Sequence, residues 1–393
     1  MTDANDRLKF LLEEIDLPER AHELALSRYK DLGNWFSRPE SSLADYDVHL
    51  FVQGSFAFGT AIRPVNPDDE YDLDFTCKLR AGVSRTSHTQ QQLKEMVGAE
   101  LAAYRRARNI QKALEPKNRC WRLGYRDELP FHMDVVPGIR ADDSRRRELG
   151  ALMETRGVSA TLASDVARRA LWITDEQHDH YSYLSPDWPS SNPGGYQLWF
   201  ASRMAAAVGS TQVLAEAQVD PAPVYRSKTP LQQVVQLLKR HRDVMFADNC
   251  DAKPVSIILT TIAGLAYRHG ESLAETMARV LTALEQVRAS NTDEILNPVN
   301  PNENFADRWQ RADCARLRLK ANFHSWIAQA RRDFNEVLAG ANPQRQVEVA
   351  SDALGVTLTE GVRQRLGVAS PAPSIRRVTL AAEPPPPWCD RRR

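Results

Sequence analysis

The sequence predicts a mixed α/β (α+β) fold, with strands and helices interleaved in the first half and helices alone in the second. Three observations carry this. Up to about residue 160, short β-branched and aromatic runs such as Val48-His49-Leu50-Phe51-Val52 and Phe131-His132-Met133-Asp134-Val135-Val136 alternate with stretches of helical periodicity. Beyond about residue 160 the apolar spacing becomes helical throughout. Two of the strand-like runs also carry carboxylates at positions where they can converge, Asp72 and Asp74 in one and Asp134 in the other.

In chain order, residues 4–36 read as one or two helices, with Leu8, Leu11, Leu12 and Ile15 spaced to pack behind a sheet. Strands are expected near 47–53 and 70–79, a helix near 88–107, then strands near 110–114, 119–125 and 130–136, which together make a mixed sheet. Helices follow near 160–172, 195–208, 228–246, 254–268, 271–289 and 303–339, and Asn192-Pro193-Gly194-Gly195 punctuates the chain before one of them. From about 340 onward the core signal weakens, and Pro371, Pro373 and Pro384 to Pro387 predict a tail without fixed structure. The expected division is a catalytic core at 1–160, a helical lobe at 161–340 and a largely flexible extension at 341–393.

Composition excludes several classes. With 51 Lys plus Arg against 51 Asp plus Glu the net charge is zero, so coating nucleic acid through global charge is not indicated, nor is a nucleic-acid activator. Cys77, Cys120, Cys250, Cys314 and Cys389 are scattered without zinc-module or disulfide spacing. Residues 1–7 lack the basic-then-apolar pattern of a secretory signal, and the apolar stretch Val255–Tyr267 falls short of the roughly 20 residues needed to span a bilayer. A cytoplasmic location without membrane contact is expected.

The carboxylates carry the chemistry. Strand side chains alternate faces, so Asp72 and Asp74 leave the sheet on one side, roughly 7 Å apart at Cα. Asp134 joins them if its strand lies alongside. Three carboxylates at one point repel unless cations neutralise them. With oxygen ligands and phosphate substrates the suitable ion is Mg²⁺, or Mn²⁺, often as a pair about 3.5–4 Å apart. Gly54-Ser55 ends a strand and opens a helical turn, where free N–H groups and the Ser55 hydroxyl can meet a phosphate. Alone, Gly-Ser is an ordinary turn and Asp-x-Asp an ordinary solvated strand face; in this order they fit nucleotidyl transfer.

Gly54-Ser55, Asp72-x-Asp74 and Asp134 resemble the polymerase-β-like nucleotidyltransferase signature. The words QGSFAFGTAIRP, DDEYDLDFTC, SNPGGYQLWF, LQQVVQLLKRHRD and NPVNPNENFADRW further resemble the bacterial CD-NTases, relatives of cyclic GMP-AMP synthase and oligoadenylate synthase, over about residues 1–340. The resemblance implies a polymerase-β-like mixed sheet packed against an oligoadenylate-synthase-like helical lobe. It implies a metal-dependent synthase that makes a cyclic di- or trinucleotide, adenine-containing, from ATP and other nucleoside triphosphates in bacterial anti-phage defence (CBASS). Within it, Asp72, Asp74 and Asp134 are catalytic and hold two metal ions, and Gln53, Gly54, Ser55, Lys239 and Ser256 bind nucleotide or phosphate.

Lys239 flanks the apolar stripe of Leu231, Val234, Val235 and Leu238, and without the resemblance it reads as a solvated helix charge. Arg242 is a weaker candidate for the cleft, and Asp243 is not expected to pair with it because adjacent helix residues diverge. Tyr196 is a weak candidate for base stacking, aromatic residues being more often core. His132 shares the parity of Asp134 and reads as a hydrogen-bonded structural histidine; Asp68, Asp69 and Glu70 read as a solvated acidic loop. Relatives controlled by HORMA-domain or conjugation partners suggest a partner site in the tail, where Ser374 to Leu380 has a strand-like alternation. A linear oligonucleotide synthase, a protein or RNA adenylyltransferase and a catalytically silent nucleotide-binding scaffold are the alternatives.

Overall fold

The computed structural model describes residues 3–66, 69–126, 129–205, 219–220 and 227–366. The chain begins with helices α1 (Ala4–Ile15) and α2 (Glu19–Phe36), separated at Pro18. The Asp3 carboxylate caps α1 by accepting from the backbone N–H of Asn5 and Asp6. Strand β1 (Val48–Gln53) runs directly into the short helix α3 (Gly54–Ala57). Then come β2 (Tyr71–Leu79), α4 (Gln90–Ala107), β3 (Glu115–Pro116), β4 (Trp121–Tyr125) and β5 (Phe131–Arg140). The sheet order is β1-β2-β5-β4-β3, with β2 and β5 parallel and the other neighbours in that order antiparallel. It is the predicted mixed sheet.

Next follow α5 (Asp143–Thr155), α6 (Ala160–Ala167), β6 (Leu171–Ile173) and β7 (Ser190–Ser191). β6 extends the sheet by pairing with the far end of β5. The second half holds α7 (Pro193–Met204), α8 (Pro230–Met245), α9 (Ser256–Ala266) and α10 (Leu273–Ser290). A hairpin of β8 (Leu296–Asn297) and β9 (Asn300–Asn304) then leads to α11 (Leu319–Ala339), α12 (Pro343–Glu348) and α13 (Glu360–Arg365). One hydrophobic cluster runs from Leu8 and Phe75 to Leu238, Phe334 and Leu366.

α8 has the clearest sequence logic. Thr229 and Gln232 form a reciprocal capping box, Pro230 sits in the first turn, and Leu231, Val234, Val235 and Leu238 are fully buried. It packs against α1, α9, α10 and α11, so its polar residues are carried into the seam between the helices and the sheet.

Four expectations need correction. Residues 110–114 form no strand; Arg105 of α4 donates to the carbonyls of Ile110 and Lys112 and folds this stretch back on the helix end. The long helix expected near 303–339 begins only at Leu319. Residues 303–304 end β9, and the Asn304 side chain accepts from the backbone N–H of Ile295 and Ala306 at 2.8 and 2.9 Å and favours a turn. Two short 3₁₀ helices, Asp307–Trp309 and Ala312–Leu317, follow. The helix α5 and the strands β6 and β7 were not anticipated. The extension is not loose from residue 341: Val347, Val349, Ala350, Leu354, Val356 and Val362 are buried in the main cluster. Ser374 to Leu380 and the proline run lie outside the described residues.

Candidate functional site

The parallel register of β2 and β5 places Asp74 directly opposite Asp134, and Asp72 opposite His132. On the flanking strands, Gln53 faces Asp74 and Arg122 faces Asp134. One row across the sheet is therefore Gln53, Asp74, Asp134, Arg122. Alternation along β2 brings Asp72 to the same face as Asp74. Oxygen atoms of Asp72 and Asp134 and a ring nitrogen of His132 all lie within 4.8 Å of one another.

The charges in this row are unequal. Asp72 is the outermost, with its side chain 55% exposed. Burial opposes its ionisation, but the hydrogen bond and charge of His132, then Arg122 and Lys239, hold the Asp72 carboxyl below the usual range. Asp74 sits deeper. Burial first, then the charges of Asp72 and Asp134, push its carboxyl well above the usual range, and among the described residues it accepts no hydrogen bond. Asp134 is held in a two-pronged pair by Arg122, with Nε and Nη2 at 2.8 and 2.7 Å from its two oxygens.

Such a set suits a hard divalent cation: oxygen donors converge, and the crowding of Asp72 and Asp134 against Asp74, only partly offset by Lys239 and Arg122, is what a bound cation would relieve. His132 links two of the acidic groups, its ring nitrogens lying 3.1 Å from Glu70 Oε2 and 3.0 Å from Asp72 Oδ1. Glu70 in turn pairs with Lys112, whose stem passes where a side chain at Gly124 would stand. Glu70 is therefore a buttress of Asp72 and not merely part of a solvated loop. Asp68 lies outside the described residues.

Gly54 closes the inner end of the site. Its φ of +64° is left-handed, and a Cβ there would overlap Asp74 Oδ2. Only glycine allows this close approach. Ser55 lines the same cleft, a cavity of about 610 Å³ that also takes in Asp72, Asp74, Lys239, Arg242 and Ser256. Gln53 turns its amide oxygen to the Thr76 hydroxyl at 2.7 Å.

Lys239 is buried at the cleft wall and donates to the Thr60 carbonyl at 2.9 Å. Burial, and next the Arg242 charge, lower its ammonium to about 8, against the attraction of Asp243, Asp72 and Asp74. Arg242 donates to Ser256 Oγ at 2.7 Å and to the Pro254 carbonyl at 3.1 Å. It also pairs with Asp243 at 2.7 Å, contrary to expectation. The divergence of neighbouring Cβ vectors does not constrain a guanidinium whose long stem can bend back. Tyr196 is not a base-stacking residue: its ring is enclosed by Phe58, Trp199 and Phe305, and its hydroxyl meets Thr261 at 2.8 Å.

Sequence reasoning missed Arg122 and Lys112 and underrated Glu70. The alternation in Trp121-Arg122-Leu123 held a signal for Arg122, but only the β4–β5 register identifies its partner.

A family model for the DncV-like cyclic GMP-AMP synthase nucleotidyltransferase domain matches residues 48–137, the segment that carries the carboxylate row. A c-di-GMP synthase of Roseivirga ehrenbergii is 29% identical over 317 residues, 78% of this chain and 73% of that protein. The cyclic dinucleotide synthase CdnG of Bradyrhizobium diazoefficiens is 26% identical over 321 residues, 79% of this chain and 71% of that protein. Among solved structures, the CD-NTase CdnG of Bradyrhizobium diazoefficiens in complex with GTP superposes with a TM-score of 0.64 at 20% identity, covering 92% of this chain and 98% of that one. Vibrio cholerae DncV with a linear intermediate gives 0.56 at 14% identity, covering 94% and 99%. The CdnC:HORMA-deltaN complex of E. coli MS115-1 gives 0.57 at 15% identity, covering 91% and 98%.

Proposed function

We propose that this chain, which belongs with the CD-NTases and carries their DncV-like nucleotidyltransferase domain, joins nucleoside triphosphates into a cyclic dinucleotide. The observation that carries the reading is the pairing of Asp74 opposite Asp134, with Asp72 on the same face, beside a cleft that Asp72 and Asp74 line together with Ser55 and Lys239. Guanine is the base we favour over the adenine expected from the sequence, because the relative at 29% identity is named a c-di-GMP synthase and the CdnG structure holds GTP.

In the transfer, a 3′- or 2′-hydroxyl oxygen bonds to the donor α-phosphorus while the bond from that phosphorus to the bridging oxygen breaks. Pyrophosphate leaves with the electron pair, and the hydroxyl proton passes to solvent. Asp72, Asp74 and Asp134 would hold the divalent metal, Mg²⁺ or Mn²⁺, which when bound neutralises phosphate charge and acidifies the hydroxyl. Gly54 keeps the backbone close to Asp74, leaving room at the cleft floor for the α-phosphate. Ser55 and Lys239 offer a hydroxyl and an ammonium to the β- and γ-phosphates, with Gln53 and Ser256 as flanking contacts. Glu70 and His132 keep Asp72 ionised and oriented. A second transfer within the linear product closes the ring.

A role in anti-phage defence rests on the resemblance to CD-NTases, and so does control by a HORMA-type or conjugation partner through residues 367–393. Among the described residues no helix is long and apolar enough to cross a membrane; we place the protein in the cytoplasm. The division at 1–160, 161–340 and 341–393 is kept as a proposal, with residues 343–366 docked on the helices.

The test is incubation of the purified protein with all four nucleoside triphosphates and Mg²⁺ or Mn²⁺, then phosphatase and mass spectrometry. A phosphatase-resistant guanine cyclic dinucleotide supports the reading. Linear products alone, or nucleotide attached to a protein or RNA, would replace it with one of the other transferase activities. Binding without turnover, with candidate partners added, would favour a silent scaffold.

A further inference from the structure

The face of α8 that carries Lys239 also carries a row of buried donors aimed at one stretch of backbone. Gln232 Nε2 donates to the Phe58 carbonyl at 2.9 Å, and Gln236 Nε2 to that of Ala61 at 2.7 Å. Lys239 Nζ donates to Thr60, and Arg240 Nη1 to the carbonyls of Arg63 and Pro64 at 3.1 and 3.0 Å. Positions 232, 236, 239 and 240 follow the helical repeat, so the ladder runs along one side of the helix. Its target, residues 58–64, leads from α3 towards β2 and lines the cleft.

Arg240 differs from the other rungs because it reaches two ways. Its Nε donates to the Leu354 carbonyl at 2.7 Å and its Nη2 to that of Gly355 at 3.4 Å. Only 4% exposed, it gives a planar fork to two carbonyls of the cleft loop and two carbonyls of the C-terminal segment. A lysine, with one nitrogen, cannot span four acceptors from two segments. The turn it grips is also constrained: Gly355 has φ +59°, and a Cβ there would lie 3.4 Å from Arg240 Nη2.

Resting on the nucleotide-binding reading of the cleft, we propose that Arg240 is a positioning residue that holds loop 58–64 in its cleft-lining conformation and makes that conformation depend on the seating of residues 343–366. The C-terminal segment thereby acts on substrate binding without touching substrate.

Two full-length variants test this. Arg240→Lys keeps the charge and loses the fork. Gly355→Ala leaves Arg240 intact and strains the turn that presents its two distal acceptors. Hydrogen exchange at the amides of residues 58–63 and steady-state kinetics with GTP are the readouts. Both variants are expected to speed exchange in the loop and raise KM for GTP about tenfold, the scale of one lost charged hydrogen bond, with kcat changed less than about threefold. Loop exchange unchanged in both variants, even with a lowered melting temperature, would make Arg240 a purely structural residue and overturn the proposal. Should the wild-type protein bind no nucleoside triphosphate, the functional reading fails, while the exchange data still decide whether the two segments are coupled.

Discussion

Arg122 and Asp134 face each other across β4 and β5 and form a two-pronged ion pair, with both carboxylate oxygens engaged at 2.8 and 2.7 Å. The pair compensates the Asp134 end of the acidic row, and it competes with any cation for the same oxygens. Removing the guanidinium in Arg122→Gln is expected to destabilise the ion-free protein by about 1–3 kcal/mol, since a partly buried carboxylate then stands beside Asp74 without its partner. Divalent ions should recover more stability in this variant than in the wild type. Thermal melts with and without Mg²⁺ check this, and equal ion-induced shifts in the two proteins would refute it.

The fold disfavours the charged form of Asp74. Its carboxyl is raised by burial and by Asp72 and Asp134. A carboxyl with a folded pKa above its unfolded value weakens the fold increasingly as pH rises past the unfolded value of about 3.9, in full above the folded value, and not at all well below about 3.9. Without divalent ions at neutral pH, Asp74→Asn should therefore melt above the wild type, with the gap narrowing on acidification. Chemical denaturation across a pH series gives the answer. A variant less stable than wild type at neutral pH would contradict the assignment.

Lys239 presents the opposite charge with the same logic. Its ammonium is lowered to about 8, chiefly by burial. Between about pH 8 and 10.5 the ion-free fold regains what it loses by burying that charge, so Lys239→Met should stabilise the ligand-free protein by about 1–3 kcal/mol at pH 7. The same change should abolish most of the stabilisation by nucleoside triphosphate. In the wild type, triphosphate affinity should fall up to about tenfold per pH unit above 8, because binding must then take up a proton. Calorimetric titrations from pH 7 to 9.5 decide it; a flat profile would remove Lys239 from the phosphate site.

Gly54 tests the close approach between the first turn and the acidic row. Alanine there meets both a left-handed φ and the Asp74 carboxylate. Gly54→Ala is expected to cost about 1–3 kcal/mol and to displace Asp74, lowering turnover by more than the loss of stability accounts for. Melting and kinetics on the same preparation separate the two effects.

Much of this site was legible in the sequence because the strand period is two. Asp72, Asp74 and Asp134 could be placed on faces from alternation alone, and Gly54-Ser55 from its place between a strand and a helical turn. Register was not legible. Nothing local says that Arg122 rather than Leu123 lies opposite Asp134, or that His132 lies beside Asp72. Side-chain competition for backbone delayed the helix expected near 303–339, which starts only at Leu319, because Asn304 supplies to Ile295 and Ala306 the acceptor that a helix would have supplied. The docking of residues 343–366 escaped notice because their apolar residues fall in short segments, too brief for periodicity to emerge. Tyr196, kept only as a weak stacking candidate because aromatic residues are more often core, packs among Phe58, Trp199 and Phe305.

Nucleotidyl transfer by the carboxylate row can be tested directly on the purified protein. Its most direct measurement is formation of phosphatase-resistant product from GTP and Mg²⁺ by the wild type and by Asp74→Asn, with circular dichroism and melting recorded on both. A cyclic guanine dinucleotide is expected from the wild type and a loss of about a thousandfold or more in the variant, whose fold is retained or more stable. Product formation by a folded Asp74→Asn protein at the wild-type rate would contradict transfer by the carboxylate row.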